Sequence, residues 1–210
     1  MLARKVRPVP SLVVVLVALL PLTACSSKKA PSTTAPPGYT VVKNDSAGFA
    51  LAIPADWIQI FLTQDLDKFD KLAHAQQATN SNLGPAVLQA RQLAQSGGKL
   101  MAVSPDGRSS VNLTADKAKE KTLDQIATAV TKGLTDNGAS DLTQNRASTG
   151  AGEALQLIFK YPVQTGADNP VVSAEVQYYV LRGGKSYVLT FITPPAADLP
   201  SAVVATFKLR

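Results

Sequence analysis

Alternation of apolar and polar residues with a period of two predicts several strands along this chain. Residues 39–43 and 49–53 both alternate, and the Asn-Asp-Ser-Ala-Gly stretch between them consists of turn-forming residues. A second pair of runs, residues 100–103 and 110–113, is joined by Ser-Pro-Asp-Gly-Arg. In that stretch Pro presets one turn dihedral and Gly supplies a positive φ, so both pairs predict β-hairpins.

Apolar residues at three–four spacing predict helices in the middle of the chain. Residues 66–95 contain two such patterns with Asn, Ser, Gly and Pro between them, which predicts two helices with a break. The second pattern consists of Ala86, Leu88, Arg91 and Leu93. A third helix is predicted after Thr122, because Thr122 and Gln125 match a capping box. Asn137 followed by Gly138 is a typical stop for that helix.

Three further alternating runs, residues 154–163, 171–181 and 186–193, predict a strand meander. A short helix with Asp198 as its N-cap follows, and three apolar residues are expected to dock it: Val203, Val204 and Phe207. Strands joined by tight turns form antiparallel sheets, and amphipathic helices bury their apolar side against a sheet. The order of elements therefore predicts one α+β domain over residues 39–210, an antiparallel β-sheet flanked by helices.

The first 24 residues have the three parts of a bacterial secretory signal peptide. An almost unbroken apolar run from Ser11 to Leu20 follows three basic residues, Arg4, Lys5 and Arg7. As a helix, residues 12–22 would span roughly 16 Å at about 1.5 Å per residue, whereas a bilayer core is about 30 Å thick. The run therefore predicts a cleaved leader, with an uncleaved N-terminal membrane anchor as the alternative.

The end of this leader resembles the lipobox of bacterial lipoproteins in four residues: Leu22, Thr23, Ala24 and Cys25. The resemblance implies cleavage before Cys25, attachment of a diacylglycerol to its thiol, and an amide-linked third acyl chain such as palmitate. Two or more acyl chains anchor a protein stably, whereas one chain does not. The mature chain is therefore expected on the extracytoplasmic face of the cell membrane. In an ordinary secretory leader, the alternative, Cys25 would be incidental.

Residues 25–38 carry Ser, Lys, Thr, Pro and Ala without apolar periodicity, which predicts a disordered, semi-stiff tether. Fully extended, it would hold the domain up to about 40 Å from the lipid surface. The leader holds three of the 21 basic residues and no acidic one, so the mature part has 18 basic and 15 acidic residues. Because this formal charge of +3 comes without an arginine-rich stretch or a basic patch with interleaved aromatics, nucleic-acid binding is not expected.

Both ends of the predicted domain resemble PsbP-like domains, the family named for the extrinsic P subunit of photosystem II. The resemblance rests on Gly48, Phe49, Ile53, Pro54 and Trp57 near the start, and on residues 187–191 with Phe207 near the end. It implies an α/β/α sandwich over residues 39–210 that binds or stabilises protein partners, without a catalytic set common to the family. Among its members, lipoproteins of actinobacteria that pair a lipobox with such a domain are the most similar.

No residue pattern in the chain predicts a catalytic centre, a metal site or a cofactor site. His74 is the single histidine and lies in a helical stretch, so any Ser-His-Asp triad would depend on it. Gly184, Lys185 and Ser186 match the end of a phosphate-binding loop, but Tyr179 stands where that motif needs its first glycine. The sequence therefore predicts no enzyme activity.

Trp57, Tyr178 and Tyr179 are the candidate ligand or partner surface that the sequence offers. Adjacent residues of a strand point to opposite faces, so one of the two tyrosines is expected on the less buried face. Large aromatic side chains in a small sheet domain also serve as core or rim packing, and this alternative stays open.

The anchor, the tether and the lack of a catalytic pattern together predict a membrane-anchored cell-envelope lipoprotein that acts as a protein-binding or accessory module. The alternative is a carrier or sensor of a small apolar ligand, such as a lipid, held between the sheet and the helices of residues 66–95. A third class, a hydrolase, would need His74 as its general base.

Overall fold

The computed structural model describes residues 35–76, 80–163, 171–193 and 201–210. The predicted signal peptide, Cys25 and the tether up to residue 34 lie outside these residues. The helices are α1 Leu66–Gln76, α2 Leu83–Gln95, α3 Leu123–Asp136 and α4 Ser201–Thr206. The strands are β1 Tyr39–Asn44, β2 Phe49–Pro54, β3 Ile58–Phe61, β4 Gly98–Val103, β5 Ser110–Lys117, β6 Ser140–Thr149, β7 Gly152–Val163, β8 Val171–Arg182, β9 Lys185–Thr193 and β10 Lys208–Leu209. Within the described residues, no helix is both long and apolar enough to cross a lipid bilayer.

The strands form two antiparallel sheets. Seven strands make up the large sheet, in the order β3-β4-β5-β9-β8-β7-β6, and three make up the small sheet, in the order β1-β2-β10. Both predicted hairpins are confirmed, since Val42 lies opposite Leu51 in the first and Ala102 opposite Val111 in the second. The predicted α+β class, with antiparallel sheets flanked by helices, is confirmed as well.

The helices α1, α2 and α3 lie on one face of the large sheet, named here the helical face. The helix α1 packs on β3 and α2 on β4, whereas α3 packs on β6, β7 and β8. Thr122 caps α3 as predicted, because its hydroxyl accepts a hydrogen bond from the Gln125 backbone N–H at 3.2 Å. The helices α1 and α2 thus cover this face near one edge of the sheet, and α3 covers it near the other edge. The strands β5 and β9 run between them.

The opposite face of the large sheet packs against the small sheet and α4. Fully buried side chains from both sides fill this layer: Phe49, Leu51, Ile53, Leu113, Leu189, Phe191 and Phe207. The predicted docking of the last helix is confirmed, since Val203, Val204 and Phe207 are all buried, while Asp198 lies outside the described residues. Gly150 allows the turn between β6 and β7 to approach α4, because a Cβ there would lie 2.5 Å from the Ala205 carbonyl oxygen.

Three strands are missing from the sequence prediction, and all three lie at the edge of a sheet: β3, β6 and β10. The strand β3 has only four residues, Ile58–Phe61. The strand β6 reads Ser-Asp-Leu-Thr-Gln-Asn-Arg-Ala-Ser-Thr, and seven of its ten residues are exposed. An edge strand has a neighbour on one side only and favours polar residues, so it lacks the apolar alternation that identifies inner strands. The strand β10 has two residues, too few to form a pattern, and pairs with β2.

The predicted apolar side of α2 is wrong at Leu88, which is 60% exposed. The buried positions of this helix are Leu83, Ala86, Val87 and Ala90. These residues follow three–four spacing from Leu83, so the apolar stripe lies one residue away from the predicted phase. Arg91 is consequently exposed and pairs with Asp70 of α1 at 2.7 Å.

Candidate functional site

The middle of the helical face carries five polar side chains from three adjacent strands, named here the polar strip: Ser110, Asn112, Glu175, Gln177 and Thr190. Asn112 of β5 lies directly opposite Thr190 of β9, which lies directly opposite Gln177 of β8. In the next row, Ser110 and Glu175 lie on either side of Ile192. Directly opposed side chains on one face have Cβ atoms about 4.5–5.5 Å apart, which makes Asn112, Thr190 and Gln177 neighbours. Ser110 and Glu175 extend this row because each lies two residues along its own strand from Asn112 or Gln177, on the same face.

Two residues of the polar strip are buried without a hydrogen bond from their side chains to any described residue. Asn112 is 3% exposed and Ser110 is 6% exposed. Among the described residues, the only fully enclosed polar side-chain atom without a partner is Thr131 Oγ1. The Asn112 carboxamide and the Ser110 hydroxyl therefore keep access to the outside of the sheet. Buried polar groups are normally hydrogen-bonded, so these two are open to water or to a bound molecule.

The polar strip contrasts with the other side of the same two strands. Val111 and Leu113 of β5, and Leu189 and Phe191 of β9, point into the layer between the sheets and are at most 1% exposed. From Ser110 to Asp116, the strand β5 therefore alternates between apolar residues on one face and polar residues on the other. This pattern is typical of a strand whose second face meets solvent or a partner.

A mostly apolar cavity of about 320 Å³ opens beside the polar strip, between α3 and the sheet. Its lining residues are Val130, Gly133, Leu134, Asn137, Phe159, Tyr161 and Glu175. Burial raises the pKa of the Glu175 carboxyl, and a hydrogen bond with the Ser173 side chain opposes this shift. Because a carboxylate is costly in an apolar setting, this group gains from a hydrogen-bond donor or a cation that enters the cavity.

The neighbouring groups on β8 belong to the same electrostatic environment. The Tyr179 hydroxyl donates a hydrogen bond to the Gln177 carboxamide oxygen. Burial raises the pKa of Tyr179, and the nearby Glu175 carboxylate adds to the shift. Since the phenol stays protonated and occupies the Gln177 oxygen, the Gln177 NH2 group is left to face the strip as a donor.

The arrangement suits hydrogen bonding to a bound molecule. It offers hydroxyl and carboxamide groups, which both donate and accept, together with one carboxyl group. His74 lies elsewhere, exposed on α1 with its Nε2 3.7 Å from an Asp70 carboxylate oxygen. In the part of the chain that the structure describes, no group of three or more His, Cys, Asp and Glu side chains is placed to hold a metal ion.

The three aromatic residues predicted as a candidate surface do not come together. Tyr178 is buried in the layer between the sheets, edge-on to Phe191 with ring centroids 6.0 Å apart. Trp57 is half-buried and packs against that same layer. Tyr179 points to the helical face, as strand alternation requires, but it is buried under α3 and only borders the polar strip. Core packing, the alternative left open by the sequence, accounts for Tyr178.

The space between the sheet and the helices of residues 66–95 is filled by side chains. Leu83 and Ala90 of α2 meet Met101 and Val103 of β4, and all four are 0% exposed. The cavity expected for an apolar ligand therefore does not lie beneath these helices. The cavity at α3 lies at the other end of the helical face.

Two of the solved structures that are similar to this chain are the following. One is the solution structure of cyanobacterial PsbP (CyanoP) from Synechocystis sp. PCC 6803, at 15% identity and a TM-score of 0.48, covering 90% of this chain and 99% of that one. The other is a crystal structure of a protein from Bacteroides thetaiotaomicron VPI-5482, at 14% identity and a TM-score of 0.47, covering 82% of this chain and 49% of that one. No protein-family model and no curated protein matches the chain.

Substitution of Glu175 by Gln is expected to stabilise the domain at neutral pH. Because burial raises the pKa of Glu175 above its ordinary value of 4.5, the folded state holds the proton more tightly than the unfolded chain does. The stability that this proton contributes is full below the ordinary pKa and is lost as pH rises through the folded-state pKa. Glu175→Gln should therefore have a higher Tm than the unsubstituted chain at pH 7 and the same Tm near pH 4.

The measurement is thermal unfolding from pH 4 to pH 8, with Glu153→Gln as the control. Glu153 is an exposed carboxylate whose Oε1 lies 3.6 Å from Arg146 Nη1. Its replacement by Gln should therefore not raise the Tm at pH 7. A Glu175→Gln protein that melts at or below the unsubstituted Tm at pH 7 would contradict the role given to burial.

Proposed function

We propose that this chain is a lipid-anchored protein of the cell envelope whose folded domain binds a protein partner through the polar strip. The observation that carries the proposal is the side chain of Asn112, which is 3% exposed and hydrogen-bonded to no described residue. The carboxamide is open to water or to a bound molecule only over this small exposed area, and it has no hydrogen-bond partner within the described residues. A partner that hydrogen-bonds to it would replace water at this position.

The form of the site favours a polypeptide as the bound molecule. Its polar groups stand on three adjacent strands, which at a spacing of about 4.8 Å spreads them over roughly 10 Å. Peptide and side-chain amides of a partner offer donors and acceptors over a similar distance. The helices α2 and α3 on either side would limit the partner to a narrow segment.

The location and the accessory role come from two resemblances in the sequence. The lipobox resemblance at residues 22–25 supports an anchor on the extracytoplasmic face of the cell membrane. The resemblance to PsbP-like domains, and to the lipoproteins of actinobacteria that combine both features, supports an accessory role toward a protein partner. An anchored binding domain meets partners within reach of its tether, which raises their effective concentration.

Replacement of Asn112 by Leu is expected to separate binding from folding. Leu has the branched shape of Asn without its polar atoms, so the folded domain should keep its stability or gain slightly. Partner capture should fall roughly tenfold, which corresponds to a loss of about 1.4 kcal/mol in binding. Capture is measured by crosslinking of the tagged full chain in its native host and mass spectrometry, and stability by thermal unfolding.

Asn145→Leu is the matched control, since Asn145 lies on the exposed edge strand β6, outside the polar strip. It should leave the captured proteins unchanged. An Asn112→Leu chain that still captures the same proteins in the same amounts would exclude the strip as the binding surface. A chain that loses stability together with capture would assign Asn112 to the fold.

Replacement of Cys25 by Ser tests the anchor. An oxygen in place of the sulfur cannot accept the thioether-linked diacylglycerol, so we expect an unprocessed or unlipidated precursor. Intact mass and membrane fractionation of both chains measure this directly. If both chains lose the leader and stay in the membrane to the same extent, Cys25 is not the anchor.

The cavity at α3 favours a second candidate function, a carrier or sensor of a small apolar ligand. At about 320 Å³ it lies at the lower end of the range for small-molecule pockets. Its walls are mainly Val130, Leu134, Phe159 and Tyr161, and the single carboxyl of Glu175 would orient a ligand. This candidate uses a different part of the helical face from Asn112, so the two are separable.

Replacement of Gly133 by Leu tests this second candidate by filling the cavity. A Cβ at Gly133 meets no atom within 4 Å, so the larger side chain has space to enter. Native mass spectrometry of the full chain, released from detergent, should give a stoichiometric adduct that Gly133→Leu abolishes. Gly133→Ala is the control and should keep the adduct, with α3 stabilised by about 0.8–1 kcal/mol. If the unsubstituted chain has the mass of the protein alone, with no adduct, the carrier function is excluded.

A further inference from the structure

A polar groove of about 340 Å³ lies at one end of the large sheet, away from the polar strip. It is formed where β5 ends, where β4 and β9 begin, and where β1 turns into β2. Its polar lining residues include Asn44, Thr63, Lys99, Asp116, Lys117 and Lys185, and it is named here the lysine groove.

Positive charge in the lysine groove is concentrated rather than balanced. Lys117 of β5 lies directly opposite Lys185 of β9, and Lys185 also lies opposite Arg182 of β8. Like charges that face each other across strands destabilise a sheet. None of these three side chains, nor that of Lys99, forms an ion pair with a described residue, although the fold contains several ion pairs elsewhere. Repulsion between these cations therefore destabilises the folded state, and a bound anion would offset this repulsion.

The uncharged residues of the lysine groove add hydrogen-bond donors. Asn44 is 9% exposed, and its Oδ1 accepts hydrogen bonds from Ser46 Oγ at 2.7 Å and from the Ala47 backbone N–H at 2.9 Å. These two bonds fix the orientation of the carboxamide, so its NH2 group is the part left to donate, without an acceptor among the described residues. The Thr63 hydroxyl is a second uncharged donor at the groove.

The one carboxylate of the lysine groove is already engaged. Asp116 Oδ1 accepts a hydrogen bond from the Lys117 backbone N–H at 2.7 Å. Three ammonium groups and one carboxylate leave a net charge of +2 at the groove. Ammonium groups are compact point charges with three donors each, which suits an oxyanion that carries more than one negative charge.

We propose that the lysine groove binds the phosphate group of a phosphate ester. The phosphate would accept hydrogen bonds from Lys99, Lys117 and Lys185, each on a different strand, and from the Asn44 NH2 group. Two sources fit this chemistry, a free small phosphate ester and the headgroup of an anionic phospholipid. The proposal does not depend on the partner-binding function, because Lys117 lies five residues beyond Asn112 on β5, about 17 Å along the strand.

Calorimetric titration of the full chain, purified in a neutral detergent, with glycerol 3-phosphate at low salt tests the proposal. We expect saturable one-to-one binding that Lys117→Gln/Lys185→Gln weakens about tenfold, through loss of two partly exposed charge contacts. Binding should also weaken as salt rises, since the Debye length is about 8 Å at 0.15 M. The double substitution removes a like-charge contact, so it should not lower the Tm.

The matched control is Lys71→Gln/Lys132→Gln, which removes the same charge from exposed positions on α1 and α3. It should bind glycerol 3-phosphate as the unsubstituted chain does. The proposal is overturned if the lysine-groove variant binds glycerol 3-phosphate as well as this control does. It is also overturned if the unsubstituted chain shows no saturable binding and no protection in the vesicle experiment below. Succinate binding as tightly as glycerol 3-phosphate overturns the assignment to phosphate.

The source of the phosphate is resolved with the full chain in phosphatidylcholine vesicles, with or without phosphatidylglycerol. The readout is the reactivity of Lys185 toward an amine reagent, mapped by mass spectrometry and compared with that of Lys71. Protection of Lys185 by phosphatidylglycerol assigns the groove to a lipid headgroup. Protection only on addition of glycerol 3-phosphate to phosphatidylcholine vesicles assigns it to a free phosphate ester.

Discussion

Burial of one face of the large sheet beneath the small sheet is the interaction on which the rest of the structure depends. Phe191 of β9, Phe49 of β2 and Phe207 after α4 are all completely buried in this layer. Full burial of a phenylalanine side chain contributes about 1.5–3 kcal/mol. The contributing segments lie far apart in the chain, and Leu209 opposite Phe49 closes the small sheet only when both have met. The layer therefore ties the first and last strands of the domain to its centre.

This packing also determines which residues stand on the helical face. Side chains alternate along a strand, so Val111 and Leu113 cannot enter the layer unless Ser110 and Asn112 point the other way. A slip of one residue would put the polar pair into the core, and the register is therefore strongly fixed. Polarity at these positions is not itself a requirement of the fold. The neighbouring strand β4 has Met101 and Val103 at the equivalent positions and buries them under α1 and α2.

The elements that depend on local pattern could be predicted from the sequence, and those that depend on strand order could not. The cap at Thr122 and the hairpin turns need only residues close in the chain, and both are found in the structure. The run of residues 110–113 is also predicted as a strand, but nothing local indicates whether Asn112 faces solvent or a packed layer. That answer requires Thr190, which lies in β9, far along the sequence. The pairing of Lys117 in β5 with Lys185 in β9 could not be predicted from the sequence for the same reason.

Tyr178 and Tyr179 illustrate the same limit at the candidate site. Their opposite orientations follow from strand geometry alone, and the structure has them on opposite faces. Which face is open, however, depends on where α3 packs, and α3 covers Tyr179. Large aromatic side chains are candidates for a binding surface, yet their size also favours burial, and both tyrosines are buried. The accessible chemistry lies instead in small polar residues, which the sequence gives no reason to single out.

The polar strip and the lysine groove share the strand β5 but differ in electrostatics. Near Asn112 the one ionisable group on the strip is the carboxyl of Glu175, whereas the end of the strand carries Lys117 opposite Lys185. A separation of about 17 Å along the strand is twice the Debye length of about 8 Å at physiological salt. Charge on a ligand at one site is therefore largely screened from the other. Because β5 is held on both sides by neighbouring strands, a conformational coupling would have to deform the central sheet, so the two sites should bind independently.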